Sequence, residues 1–395
     1  MLAIMTSAET NRIPRFPDDP TEAGIRARRE YVERRVEGGA PHLFGEAVDP
    51  LTSRGNVENV VGYAQVPVGI AGPLVVHGES GTREVVYPLA TNEGAMVAAY
   101  SRGMSVLNRA GGVRARVVKD GLTQHPMLEY TGVDGALAAA GAIEALMPRF
   151  HELVAARTDH GRLLSAEPEV VGRRVILRLT FATGDAIGIN MAANASDAIA
   201  ELVEAQTSAL RRYVHGEDVE KRANAWALAS GRGRSVVAEA TLPRALVEER
   251  LRVSVEDLVR IRRAYDLGFA RLGTQNHLVQ VANGLAAAFL ACGQDVAYLT
   301  ESATGHLELE PDANGDLWCS ASLPNLIVGT VGGGSGKGTA RECLELMGCR
   351  GTGGARPFAE ALGGLVLAGD LSLLASFCSH DFVAAHERLG RNRPS

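Results

Sequence analysis

Hydrophobic and polar positions follow several distinct textures along this chain of 395 residues. A polar, Pro-containing opening leads into a charged segment, Thr21–Val36, that predicts a helix. From Glu58 the texture changes to ENVVGYAQVPVGIAGPLVVHG, where β-branched residues alternate with Gly and Pro, and this predicts short strands and tight turns. A helix is expected from about Asn92 to Leu107. Its small residues (Gly94, Ala95, Ala98, Ala99, Gly103) suit close packing against another helix or a ligand.

Residues 112–213 predict a compact set of elements. Val113–Val118 and Met127–Tyr130 are expected as strands, and Asp134 caps a helix running to about Ala156. Val170–Phe181 follows as a strand, with Val175, Leu177, Leu179 and Phe181 apolar at a period of two, and a second helix covers Asn190–Tyr213. Two helices over a small antiparallel sheet make an α+β plait, ferredoxin-like in outline. The remainder predicts helices at Pro243–Arg252, Val255–Leu267, Asn276–Leu299 and Gly354–Leu374, with strands at Leu307–Glu310, Leu317–Ser322 and Leu326–Gly329.

Composition narrows the class. A chain of this length divides into two or three domains. A net charge of −6 argues against general nucleic-acid binding. No unbroken apolar run reaches the roughly 18–20 residues that span a bilayer, and MLAIMTSAET lacks the basic flank of a secretory signal. Cys292, Cys319, Cys343, Cys349 and Cys378 form no CxxC pair, so they predict reduced thiols rather than a disulfide frame or a zinc site. The expectation is a soluble, cytoplasmic protein with no metal.

Several segments can carry chemistry. GTVGGGSGKGT (Gly329–Thr339) offers bare backbone amides to a phosphate, or is simply a flexible loop. It is not a P-loop, because Val331 and Gly338 stand where that pattern needs Gly and Ser/Thr. GDAIGIN (Gly184–Asn190) joins a strand to a helix, where amides can face a pyrophosphate. Four ionisable residues stand out, each with an ordinary explanation. Glu93 can serve the dipole of its helix, and Asp295 in ACGQDVAYL can mark a polar face. Lys221 in GEDVEKRAN can be solvated, and His386 in FVAAHERLGRN can be a surface histidine.

Taken together, the segments say more. ENVVGYAQVPVGIAGPL (Glu58–Leu74), ATNEGAMVA (Ala90–Ala98), GDAIGINM (Gly184–Met191), GRGRSVV (Gly231–Val237), ACGQD (Ala291–Asp295), LPNLIVGTVGGG (Leu323–Gly334) and LAGDLSLLA (Leu367–Ala375) occur in one chain. Their order and spacing resemble the class I branch of the hydroxymethylglutaryl-CoA reductases over roughly Glu58 to Asn392, without the membrane anchor of the animal members. The resemblance implies that Glu93 is the catalytic glutamate, Lys221 the catalytic lysine, Asp295 the coupled aspartate and His386 the C-terminal histidine. It implies that Asn283 and Arg102 line the substrate pocket. Asp185, Gly188, Asn190 and Met191, with Gly329, Gly332 and Gly333, fall in the family's cofactor-binding stretches.

The implied chemistry needs such a set. A thioester is reduced to a hemithioacetal and, after CoA thiol leaves, the aldehyde is reduced to an alcohol. A lysine ammonium stabilises the oxyanion of each step, a carboxylic acid protonates the alkoxide, and a histidine protonates the departing thiolate.

The chain departs from the family pattern in the acyl pocket and near the adenosine end of the cofactor. Gln124 replaces an arginine, Val214 replaces a serine, and Arg222 and Arg263 stand where the family has lysines that accompany the substrate carboxylate. Asp159, in TDHGRL, replaces an arginine beside the 2′-phosphate of NADPH, so NADH is favoured over NADPH.

The expected architecture is α+β: an N-terminal helical arm (1–57), a large mixed α/β acyl-CoA-binding domain (58–125 and 215–395) and an inserted ferredoxin-like cofactor-binding domain (126–214). A homodimer or dimer of dimers with shared active sites is expected. Two other readings stay open: a paralogue that reduces another carboxylated acyl-CoA, and a non-catalytic CoA-binding protein.

Overall fold

The computed structural model describes residues 12–16, 21–45, 56 and 63–379. Its first helix, α1 (Glu22–Glu33), starts at Thr21, whose hydroxyl accepts the Gly24 amide at 3.1 Å. The Gly- and Pro-rich segment forms one long hairpin, β1 (Val68–Gly78) and β2 (Gly81–Ala90), with a register shift between Ala71 and Leu74. Helix α2 (Met96–Arg109) leads into β3 (Val113–Gln124), which belongs to two sheets at once.

The last three residues of β3 pair with one strand of a small sheet, whose elements follow in the chain. These run β4 (Met127–Glu129), α3 (Val133–Ala155), β5 (Arg162–Val171), β6 (Arg174–Ala182), α4 (Ile189–Thr207) and β7 (Arg211–Tyr213). The strands lie in the order β7, β4, β6, β5, and every pair is antiparallel. That βαββαβ order is the ferredoxin-like plait that the sequence predicts. Leu122–Gln124 of β3 extends it by pairing with β6.

The rest of the chain forms α5 (Ala225–Ser230), β8 (Gly233–Leu242), α6 (Arg244–Leu251), α7 (Val255–Leu272), β9 (Asn276–His277) and α8 (Val281–Ala291). A single 3-10 turn (Val296–Tyr298), α9 (Leu299–Ser302), β10 (Gly305–Pro311), β11 (Leu317–Leu326), α10 (Gly338–Leu346) and α11 (Ala355–Cys378) follow. The large sheet runs β3, β8, β11, β10, β9, and the parallel contact of β1 with β3 adds the hairpin. β3 therefore ties the large sheet to the plait through continuous backbone.

Local chemistry explains where the structure differs from the sequence expectation. Val170–Phe181 is a hairpin rather than one strand, because Gly172 (φ +59°) turns the chain between β5 and β6. The expected Asn190–Tyr213 helix ends at Thr207; Ser208 is left-handed, and the last residues form β7. Asn276–Leu299 is not one helix, since α8 stops at Ala291 and Gly293 (φ +64°) reverses the chain. Glu93 precedes its helix rather than sitting in the first turn, because Ala95 is left-handed. β8, α5 and α10 lacked a clear period and were not expected.

Helix α11 packs against β3, β8 and β11 of the large sheet and is buried along most of its length. By length and composition it could cross a membrane, although charged residues interrupt its apolar run, and most of it is buried inside the protein. Its buried carboxylates explain why the run is broken. Glu360 accepts the Glu79 amide at 2.9 Å in the β1–β2 turn. Asp370 accepts the Val279 and Gln280 amides at 2.9 and 2.7 Å, ahead of α8. Burial pushes the Asp370 carboxyl up to about 6, against the pull of those two amides.

Helix α2 approaches α11 so closely that a Cβ on Gly103 would lie 1.9 Å from the Ala368 carbonyl oxygen. Backbone meets backbone there, so no rotamer change relieves the clash. Gly103→Ala should therefore cost about 1–3 kcal/mol or more. Gly141→Ala, on an exposed turn of α3 where a Cβ would meet nothing, should gain roughly 0.5–1 kcal/mol. Denaturant melts of the two variants check the pair; equal shifts would contradict the close approach of α2 and α11.

Candidate active site

Lys221 and Asp295 come from segments 74 residues apart and meet side chain to side chain. The Lys221 ammonium lies 3.0 Å from Asp295 Oδ2 and 4.8 Å from the centre of the Tyr298 ring. Asp295 is not a mid-helix residue: it caps the 3-10 turn, with Oδ1 accepting the Ala297 amide at 3.0 Å. That bond fixes the carboxylate and leaves Oδ2 for the lysine. The two side chains are each about two-fifths exposed, so the pair adds little stability and is open to a ligand.

Glu93 and Asn283 form a second pair, with Asn283 Nδ2 donating to Glu93 Oε1 at 3.3 Å. Thr91 Oγ1 accepts the Glu93 amide at 3.0 Å and shapes the turn before α2. Among the described residues no hydrogen bond or ion pair joins Glu93 to Lys221 or Asp295. His386 lies outside the described residues.

The two glycine-bearing loops meet. The Asp185 carbonyl accepts the Thr330 and Val331 amides at 2.8 and 3.2 Å. Its carboxylate accepts the Gly353 and Ala355 amides at 2.8 and 3.0 Å at the start of α11. Gly329 is required at this crossing, because a Cβ would lie 2.7 Å from the Ile187 nitrogen. The Gln294 side chain exchanges two hydrogen bonds of 2.9 Å with the Gly329 backbone, so the residue beside Asp295 also grips the glycine loop.

Gly188 (φ +81°) opens α4, whose N-terminus has no side-chain cap. Asn190 is exposed on its first turn. Gly161 packs on Met191, since a Cβ there would lie 2.5 Å from Met191 Cε. That contact seats the loop carrying the exposed Asp159 beside the start of α4. Gly332 and Gly333 have positive φ and open space where a side chain would stand. Uncapped amides, a bare glycine turn and adjoining loops fit the phosphates of a dinucleotide.

The candidate acyl-pocket residues come from separate segments of the chain. Arg222 is exposed and pairs with Asp218 at 2.6 Å. Arg263 is exposed on α7, while its neighbour Arg262 is buried against Asp266. Arg102 donates to the Ser372 and Ser376 hydroxyls of α11 at 3.0 and 2.6 Å. Gln124 is buried at the end of β3, and its Nε2 has no hydrogen-bond partner among the described residues.

Sequence reading missed several residues around Lys221. Arg232 and Glu301 form a fully buried ion pair, with Nη1 at 2.8 and 2.7 Å from the two carboxylate oxygens. Arg232 carried a signal in the GRGRSVV motif, but Glu301 and Tyr298 stand in an unremarkable polar stretch. His125 was also missed. It is buried at the root of the Lys221 loop, 2.7 Å from Glu217 Oε2 and edge-on to Trp226 at 4.6 Å between ring centres.

Burial pushes the His125 imidazole down to about 4, although the Glu217 hydrogen bond pulls the other way. The unfolded imidazole titrates near 6.5, so the unfolded chain takes up the proton first on acidification. Stability from this group is complete above about pH 6.5 and is lost as pH falls towards 4. His125→Phe keeps a ring against Trp226 and removes the titration. Between pH 7 and 4.5 the wild-type melting midpoint should fall further than that of the variant; parallel curves would contradict a buried neutral His125.

Comparison with known proteins identifies the family. The family model described as hydroxymethylglutaryl-coenzyme A reductase matches residues 24–391. The 3-hydroxy-3-methylglutaryl-coenzyme A reductase of Methanothermobacter thermautotrophicus is 39% identical over 376 residues, covering 94% of each chain. That of Pyrococcus horikoshii is 37% identical, over 96% of this chain and 94% of its own. That of Haloferax volcanii is 38% identical, over 94% and 93%. Among solved structures, the class II 3-hydroxy-3-methylglutaryl-CoA reductase of Streptococcus pneumoniae, bound to NADPH in open conformations, superposes with a TM-score of 0.71. It is 20% identical and covers 85% of this chain and 91% of its own, a likeness of fold. With nearly the whole length matched at this identity, the chain belongs to the hydroxymethylglutaryl-coenzyme A reductase family.

Proposed function

We infer that the chain reduces 3-hydroxy-3-methylglutaryl-CoA to mevalonate and free CoA, consuming two equivalents of reduced nicotinamide cofactor and two protons. The observation that carries this reading is the Lys221–Asp295 contact, a fixed ammonium open to a ligand beside the loops that suit a dinucleotide. The bound nicotinamide supplies hydride. The chain's own groups supply positive charge and protons.

Lys221 holds the thioester oxygen and then the aldehyde oxygen as each gains negative charge. Asp295 keeps the ammonium in place. Glu93, oriented by Asn283, delivers a proton to the alkoxide. His386, assigned through the family resemblance, protonates the CoA thiolate. Arg222 and Arg263 take the acyl carboxylate, a role compatible with their exposure. The large domain carries the acyl-CoA and the plait contributes to the cofactor site.

The class I assignment rests on the motif set. A dimer or dimer of dimers with shared sites is supported by the division of the candidate residues into two pairs that make no hydrogen bond or ion pair with each other. A reducing, cytoplasmic setting suits the five free cysteines, four of them buried.

Loss of reduced-cofactor absorbance with a panel of acyl-CoAs tests the reading. Turnover should require a carboxylated acyl group and fall about a hundredfold or more in Lys221→Ala. Turnover near wild type in that variant would remove Lys221 from the chemistry. A preference for another carboxylated acyl-CoA would favour the paralogue instead.

NADH is the preferred cofactor in this reading, because a carboxylate at Asp159 repels a 2′-phosphate and accepts a hydrogen bond from a 2′-hydroxyl. The ratio of kcat/KM for NADH to that for NADPH should exceed one in wild type and drop in Asp159→Arg. A clear wild-type preference for NADPH would contradict it.

A further inference from the structure

Lys221 is one of four described residues other than glycine with positive φ, at +57°. A side-chain-bearing residue adopts that conformation at a cost, so something holds it there. The Lys221 amide donates to Glu301 Oε1 at 2.5 Å. Glu301 is fully buried, and its two oxygens also receive Nη1 of the fully buried Arg232. Arg232 is fastened in turn: its Nε donates to the Thr123 carbonyl at 3.2 Å and its amide to Asn325 Oδ1 at 2.9 Å. Asn325 Nδ2 reaches Thr304 Oγ1 at 2.9 Å, and that hydroxyl donates to the Glu301 carbonyl at 2.7 Å. A closed ring of contacts therefore joins Arg232, just before β8, Asn325 of β11, Thr304 and Glu301 of α9; it is anchored to β3 at Thr123 and reaches one backbone amide, that of Lys221.

The pair is not explained by stability. Buried ion pairs are often matched or bettered by apolar residues of similar size, and Arg232 Nη2 is buried without a hydrogen-bond partner among the described residues. We propose that the buried Arg232–Glu301 pair is the positioning element of the active site, holding residue 221 left-handed so that its ammonium meets Asp295 over the Tyr298 ring. Arg232 and Glu301 touch no reacting atom; they act through the Lys221 backbone. Glu301 supplies the acceptor, and Arg232 holds that acceptor in place. This deepens the reading of Lys221 as the oxyanion donor and rests on it.

Two double variants separate the acceptor from the buried charge. Arg232→Met with Glu301→Gln removes both charges but keeps a carbonyl oxygen for the Lys221 amide. Arg232→Met with Glu301→Leu removes the acceptor too. The Leu form should show kcat roughly tenfold to a hundredfold below the Gln form, with acyl-CoA KM little changed, as expected of a misaimed group. Equal kcat in the two forms overturns the proposal. If neither form folds, Glu301→Asp carries the test, since it keeps the charge for Arg232 but draws the acceptor back by one methylene. Its kcat should fall at an unaltered melting midpoint, and an unchanged kcat overturns the proposal.

In a Lys221→Ala background the Leu substitution pair should cost nothing further, whereas a merely structural role would lower the residual rate again and overturn it. Should Lys221→Ala alone run at the wild-type rate, the oxyanion reading fails on its own. The clamp is then judged by hydrogen exchange at the Lys221 amide, slow in the Gln form and fast in the Leu form if the proposal holds, and equal in both if it does not.

Discussion

A carboxylate taken out of water must be given donors, and in this protein those donors are repeatedly the backbone amides of a distant segment. Glu342 takes the His42 and Leu43 amides and so fastens the N-terminal arm to α10. Glu360 takes the Glu79 amide and holds the first hairpin to α11. Asp370 takes the Val279 and Gln280 amides and sets the start of α8. Glu301 takes the Lys221 amide and sets the Lys221 loop. All four carboxylates are buried, and each joins segments at least 80 residues apart. Unlike apolar packing, such a contact fixes direction as well as proximity, because the amide has to point at the oxygen.

The same device explains how one polar site is assembled from several loops. α8 carries Asn283 to Glu93, and its first residues are held by Asp370 from the core helix. The segment after α8 carries Gln294 and Asp295 in succession, one bound to the glycine loop and the other to Lys221. Asp185 ties the end of the plait's β6–α4 turn to that glycine loop and to the start of α11. Movement of the plait against the large domain would therefore be felt first at Asp185 and Gly329, next to Asp295. β3, shared by both sheets, limits how far the two can separate.

The fold class and the plait were legible because their signals are local: a period of two in β6, long amphipathic or small-residue stretches for α3 and α4, and turn residues between them. Boundaries failed where one residue's backbone conformation decides the outcome, as at Ala95, Gly172, Ser208 and Gly293. The family's motif positions pointed to Lys221 and Asp295, and the fold brings the two side chains into contact. Glu301 was invisible because nothing in VAYLTESATG marks a carboxylate as buried; only its partner across the fold, Arg232, does so. His125 was hidden for the same reason, its burial depending on Trp226 and Glu217 from a later loop.

The central claim is that a fixed lysine, braced by Asp295 and left open to a ligand, receives the carbonyl oxygen of the acyl thioester. A structure of the protein with an acyl-CoA bound tests it most directly. The thioester oxygen should lie about 3 Å from Lys221 Nζ, with the Lys221–Asp295 contact intact. A thioester oxygen held by other donors, with Lys221 turned away, would contradict it.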